Sequence, residues 1–172
     1  MTGNHLPYPR RRTTIRLPGY DYRLPGTYFV TICTQRRLHL FGDVHDGRMH
    51  LNDIGTMVAE TWLALPQTFP GVGLDTMTIM PDHLHTVIML GIDPAADVKT
   101  APGLGDVVRY FKGRSTHRYI KNYAAHGWSP LEGRLWQRQY HDRIIRGDRE
   151  LESVRGYIDT NPHRWWNNRN DV

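Results

Sequence analysis

Residues 80–90 read MPDHLHTVIML. Pro81-Asp82 interrupts whatever precedes it, and the run from His83 onward is β-branched and long aliphatic. Side chains alternate across a strand, so Leu84, Thr86, Ile88 and Leu90 share one face and His83, His85, Val87 and Met89 the other. Both faces are largely apolar, the pattern of a strand inside a sheet. Such a strand needs neighbours. TYFVTICTQ at 27–35 and LDTMTIM at 74–80 predict two of them, and LWQRQYHDRII at 135–145 predicts a strand or extended segment. Asp46-Gly47, between VH and RMHL, predicts a hairpin turn. Ile54, Met57, Val58, Trp62 and Leu65 predict a helix that begins at Asn52 or Asp53 and is ended by Pro66. A second helix is predicted over 103–123. A third, over 148–161, shows Leu151, Val154 and Ile158, with Asp148 as its cap and Pro162 as its stop. Residues 91–102 and 125–133 read as loops. The order β, hairpin, α, β, β, α, β, α predicts an α+β fold: a ferredoxin-like antiparallel sheet with helices packed on it, in a single domain.

At 172 residues there is no room for two ordinary cores. We divide the chain into a basic N-terminal arm, 1–26, and a domain, 27–172. No apolar run is long enough to span a bilayer, and no apolar stretch follows Arg10, Arg11 and Arg12 as a secretory signal would require. Cys33 is the single cysteine, which excludes an intramolecular disulfide and cysteine-rich zinc modules. We therefore expect a cytoplasmic protein. The formal net charge is +5, but it is unevenly placed: +5 over 1–50, −6 over 51–108 and +6 over 109–172. Basic ends around an acidic middle suit a polyanion held on two flanks of a site that itself attracts a cation. Nineteen of the 22 basic residues are arginine, which matches planar bidentate phosphate contacts and also a GC-rich coding bias.

The chemistry centres on His83-Leu84-His85. Imidazoles two apart on a strand project to one side, about 7 Å apart at the backbone, and can converge on one divalent ion. Two ligands leave the shell incomplete. Asp82 is adjacent but should face away from the pair if the strand has begun. The C-terminal helix offers Tyr157, Asp159 and Asn161, with Tyr157 and Asn161 four apart on one face. Asn161 would complete the shell with Tyr157 beside it. A cation lowers the cost of forming a phenolate and can polarise a phosphodiester. The blander reading of Tyr157 is a core aromatic on a helix that already shows Leu151, Val154 and Ile158.

Four blocks, TYFVTICTQ, MPDHLHTVIML, LWQRQYHDRIIR and YIDTNPHRWW, resemble the HUH-type single-tyrosine transposases, in the family's order. The likeness is strongest to the REP-associated tyrosine transposases, which this chain's basic leader RRTTIRLPGYDYRLPGTYF also resembles. The resemblance implies that His83 and His85 bind the metal, usually Mg2+ or Mn2+, that Asn161 adds a ligand, and that Tyr157 is the nucleophile. It implies metal-assisted transesterification of single-stranded DNA through a 5′-phosphotyrosine, on strands with a hairpin or palindromic repeat, without a nucleotide cofactor or a membrane. DNA-bound protein would then be nucleoid-associated. Relatives often have Asn where this chain has Asp82. That carboxylate either tightens metal binding or faces solvent.

For DNA contacts the sequence offers Arg10, Arg11 and Arg12 in the arm, Arg109, Lys112, Arg114 and Arg118 on one helix, and Arg138 in the WQR block. His141 and His163 rank below Asn161 as ligands, and Trp165 and Trp166 read as packing. Two other classes stay open: a DNA hairpin-binding protein that keeps the fold without the chemistry, and a hydrolase using activated water. So does the choice between a monomer and a homodimer.

Overall fold

The computed structural model describes residues 19–93 and 101–170. Arg10, Arg11 and Arg12 lie outside them. Four strands form one antiparallel sheet: β1 (Gly26–Cys33), β4 (Val72–Met80), β5 (His83–Leu90) and β6 (His141–Ile145), in the order β4-β5-β1-β6. This is the ferredoxin-like arrangement the sequence pattern predicts. A hairpin of β2 (Gly42–His45) and β3 (Arg48–Leu51) is inserted after β1. Asp46 and Gly47 take φ of 50° and 72° at its turn, as a two-residue hairpin loop requires.

Two crossover helices cover one face. They are α1 (Asp53–Leu63), whose N-cap Asn52 accepts from Gly55 N at 2.9 Å, and α3 (Leu104–Asn122). Tyr28, Val30 and Ile32 of β1 and Leu84 and Ile88 of β5 meet Val58, Trp62, Val107, Val108 and Phe111 there. Burial of this cluster is the main stabilising term of the fold. A short helix, α2 (Leu65–Thr68), holds Pro66 in its first turn, so α1 ends before the proline rather than at it. Tyr20 and Tyr22 pack against the same core, and Tyr22 O accepts from Leu104 N, so residues just before β1 belong to the folded body.

The other face carries the histidines. It is covered by α4 (Asp148–Asp159), whose Val154 and Ile158 pack on Val87 and Ile145. Two expectations fail here. The N-cap is Gly147, not Asp148, and it makes no side-chain cap bond. Pro162 does not stop the chain's helix; it sits in the first turn of α5 (Asn161–Asn170), where its missing N–H is no loss. The 135–145 block is a strand only from His141; before that a single bridge joins Trp136 to Thr34.

A register shift between Leu74 and Met77 bulges β4. Bulges re-aim side chains. Asp75 here meets the Arg155 guanidinium at 2.8 and 2.5 Å, and Thr76 Oγ1 donates to Asp159 Oδ1 at 3.3 Å. These contacts fasten α4, and with it Tyr157, to the sheet.

Candidate active site

His83 and His85 lie on the α4 face of β5, 5 % and 6 % exposed. Their Nε2 atoms are 3.0 Å apart. Each ring is held from behind. His83 Nδ1 is 2.5 Å from Asp82 Oδ1, and His85 Nδ1 is 2.8 Å from Thr31 Oγ1, directly across the β1–β5 register. Asp82 therefore does not face away, because the condition for that, a strand already begun, is not met. It lies in the Pro81-Asp82 turn, where the strand's alternation has not begun, and the residue is buried, 3 % exposed. Its other oxygen accepts from Arg37 Nε at 2.8 Å. Arg37 takes a left-handed backbone, φ 57°, uncommon outside glycine, and also donates to Cys33 Sγ at 2.8 Å.

The pair fits a divalent cation. Asp82 only accepts, so His83 carries its proton on Nδ1 and presents a bare Nε2. The Thr31 hydroxyl can donate or accept, so His85 can do the same. Burial first, then the electrostatic influence of neighbouring His83 and Arg37, pulls the His85 pKa down to about 3, which keeps the ring neutral. Cis ligands at about 2.1 Å in an octahedron stand about 3.0 Å apart, the separation found here. Among the described residues no cluster of three or more His, Cys, Asp or Glu forms a metal site. Asn161, 9 % exposed, lines the same cleft and carries an amide oxygen.

That cleft, about 380 Å³, is also lined by Arg37, Tyr157, Arg164 and Trp165. The Tyr157 ring stands edge-on to His85 with centroids 5.4 Å apart, and it is 37 % exposed, so it is not a core aromatic. Val154 and Ile158 turn inward on α4, and Tyr157 sits on the flank between core and solvent.

A family model described as transposase IS200-like matches residues 27–161. The chain belongs to the IS200-like transposase family. This transposase is 34 % identical over 179 residues to an uncharacterized protein of Haemophilus influenzae, covering 96 % of each chain. It is 26 % identical to a second protein of that organism, named a REP-associated tyrosine transposase, over 83 % of this chain and 73 % of the relative. Its fold matches a REP-associated tyrosine transposase solved bound to a REP hairpin, at TM-score 0.55 and 21 % identity, covering 84 % and 72 % of the two chains. It also matches a transposase from Deinococcus radiodurans, at TM-score 0.50 and 17 % identity, covering 84 % and 95 %. The resemblance read from the four sequence blocks is borne out. As a member of this family the chain is a DNA-binding transposase.

The basic residues are distributed differently from the sequence reading. Helix α3 lies on the face opposite the histidines, so Arg109, Lys112, Arg114 and Arg118 are not brought to the cleft. Lys112 Nζ donates to the carbonyls of Gln137 and Gln139 at 3.0 and 3.1 Å, and burial draws its pKa down to about 8. Arg118 bonds Met57 O, Thr61 Oγ1 and Glu60, tying α3 to α1. Neither is free for phosphate. Arg109 pairs with Asp106, Arg114 and Arg138 are exposed, and Trp136 is core, donating to Ser115 Oγ at 2.8 Å. Trp165, read as packing, lines the cleft beside His83, with centroids 5.9 Å apart. The sequence reading missed Arg37 and Arg164. Arg164 lies 5.5 Å over the Tyr157 ring from α5, and reading Pro162 as a stop hid it. Arg37 had none, because it sits in an irregular turn.

Proposed function

We propose that this transposase nicks and rejoins structured single-stranded DNA through a covalent bond to Tyr157, with Mg2+ or Mn2+ held by His83, His85 and Asn161. The observation that carries this reading is the Tyr157 ring at 5.4 Å from His85, in one cleft and one chain. The cation supplies Lewis acidity and charge stabilisation at a phosphate oxygen. The chain's own residues do the rest. Asp82 and Thr31 fix the histidine rings. Arg37 and Arg164 offer guanidinium donors to the other phosphate oxygens. The Tyr157 oxygen loses its proton and bonds to phosphorus, and the bond from phosphorus to the 3′-oxygen breaks. That oxygen takes a proton and leaves as a 3′-hydroxyl, while the other strand stays as a 5′-phosphotyrosine. Attack by a 3′-hydroxyl on that linkage joins strands and returns the phenol. One phosphoester replaces another at each step, so no nucleotide cofactor is required.

We take the substrate to be a strand with a hairpin or palindromic repeat, supported by the relative's name and by the solved REP-hairpin complex. Hairpin contacts are assigned to Arg10, Arg11 and Arg12 of the arm and to the exposed Arg109, Arg114 and Arg138, and the protein is taken to work as a monomer or a homodimer. The test uses labelled single strands from palindromes flanking the gene, incubated with protein and Mn2+. Denaturing gels should show a protein–DNA adduct that vanishes in Tyr157→Phe. Cleavage by Tyr157→Phe at the wild-type rate removes the nucleophile. Free 5′-phosphate ends without an adduct favour hydrolysis, and binding without a nick favours a non-catalytic hairpin binder.

A further inference from the structure

We propose that a second cleft, on the side of Tyr157 away from the histidines, seats the base of the nucleotide immediately 3′ of the scissile phosphate. This rests on the phosphotyrosine reading above. The cleft, about 360 Å³, opens between β6 and α4, and Thr31 and Tyr157 line both it and the histidine cleft. A phosphate at the Tyr157 hydroxyl therefore lies at the junction of the two.

Stereochemistry selects the occupant. In an in-line displacement the attacking and leaving oxygens lie on opposite sides of phosphorus. The leaving 3′-oxygen carries its nucleoside away from the phenol. The 5′-oxygen stays bonded to phosphorus and lies to the side of that line. Its nucleoside, the one retained on the tyrosine, falls beside Tyr157, where the second cleft begins.

The lining suits a base. Phe29, Val154 and Tyr157 present apolar and aromatic surface to a flat ring. Phe29 is held in place between His85 and Tyr157, with centroids 5.4 and 5.9 Å away. Every base has a π-face, so such walls attract any of the four. The Ser153 hydroxyl and the His141 imidazole also line the cleft and can bond a base edge, which is where sequence is read. Arg143, paired with Glu150 at 2.6 Å, adds a cation near the strand's backbone. Ser153 and His141 have no part in the chemistry described above.

The experiment uses a single-stranded palindrome-bearing oligonucleotide whose nick position has been mapped. The base 3′ of the scissile phosphate is removed, leaving an abasic sugar, and single-turnover adduct formation is timed with Mn2+. Wild type should slow roughly tenfold or more, the worth of one stacked base. Ser153 is exposed, so Ser153→Trp fills the cleft from the surface without entering the core. That variant should form adduct slowly and treat intact and abasic strands alike. Equal wild-type rates on the two strands overturn the inference, as does a Ser153→Trp enzyme that keeps the wild-type gap. Adduct formation without a base effect leaves the phosphotyrosine reading intact. No adduct on any strand removes that reading, and this inference with it.

Discussion

Asp82→Ala separates a carboxylate that orients a ligand from one that merely faces solvent. The Asp82 side chain is 4 % exposed and bonds His83 Nδ1 at 2.5 Å and Arg37 Nε at 2.8 Å. Alanine leaves the His83 N–H buried without a partner, a loss of about 1–3 kcal/mol. Arg37 is 47 % exposed and can turn to water, so its share is small. A net loss of about 2 kcal/mol should lower Tm by about 4–8 °C in a domain of this size. The ring also loses the support that fixes its tautomer, and Mn2+ affinity should fall about 10- to 100-fold. Asp82→Asn keeps one acceptor oxygen and should lie between. Thermal unfolding with chelator present reads the first effect, and calorimetric Mn2+ titration the second. Were Asp82→Ala to match wild type in both, the proposed orientation of His83 would be wrong.

The remaining expectations are briefer. His85 has a folded pKa near 3 against about 6.5 unfolded, so below pH 6.5 the unfolded chain binds the extra proton. The stability this contributes is present above that value and is lost as pH falls from 6.5 toward 3. Denaturant unfolding with chelator should show wild type losing about 1–2 kcal/mol more than His85→Asn between pH 7.5 and 5. Lys112→Ala should destabilise by about 1–3 kcal/mol by freeing the carbonyls of Gln137 and Gln139, yet leave the salt dependence of hairpin binding unchanged. A shallower salt slope would return Lys112 to the DNA interface. Gly156 lies inside α4 with open space where a Cβ would stand, so Gly156→Ala should raise stability by about 0.5–1 kcal/mol in thermal unfolding. Slower adduct formation in that stabilised variant would show that the reaction uses the helix's pliability.

The elements that carry the site were legible because their information is local. A period of two placed His83 and His85 on one side of β5, and the spacing of four between Tyr157 and Asn161 anticipated that they line one cleft. The Asp46-Gly47 turn followed from its need for positive φ. The errors share a cause as well. Asp148 as cap and Pro162 as stop are sound local rules, but Gly147 and the start of α5 took those places. Lys112 and Arg118 of α3 resemble phosphate-binding residues until the 137–139 segment and α1 are laid against them.

By itself the sequence determined the strand and helix types, the ferredoxin-like order, and the identity of two imidazoles and a phenol that can share chemistry. Only the tertiary structure decided which face of the sheet each helix covers. Both crossover helices fall on the side away from His83 and His85, leaving the histidine-bearing face to α4. It alone also joined Thr31 to His85 and Asp82 to Arg37. The reason is physical. Periodicity encodes which side chains leave an element together, because that depends on backbone repeat alone. Which element meets that face depends on crossover handedness, bulges and packing between segments far apart in the chain, and no short window of residues contains them.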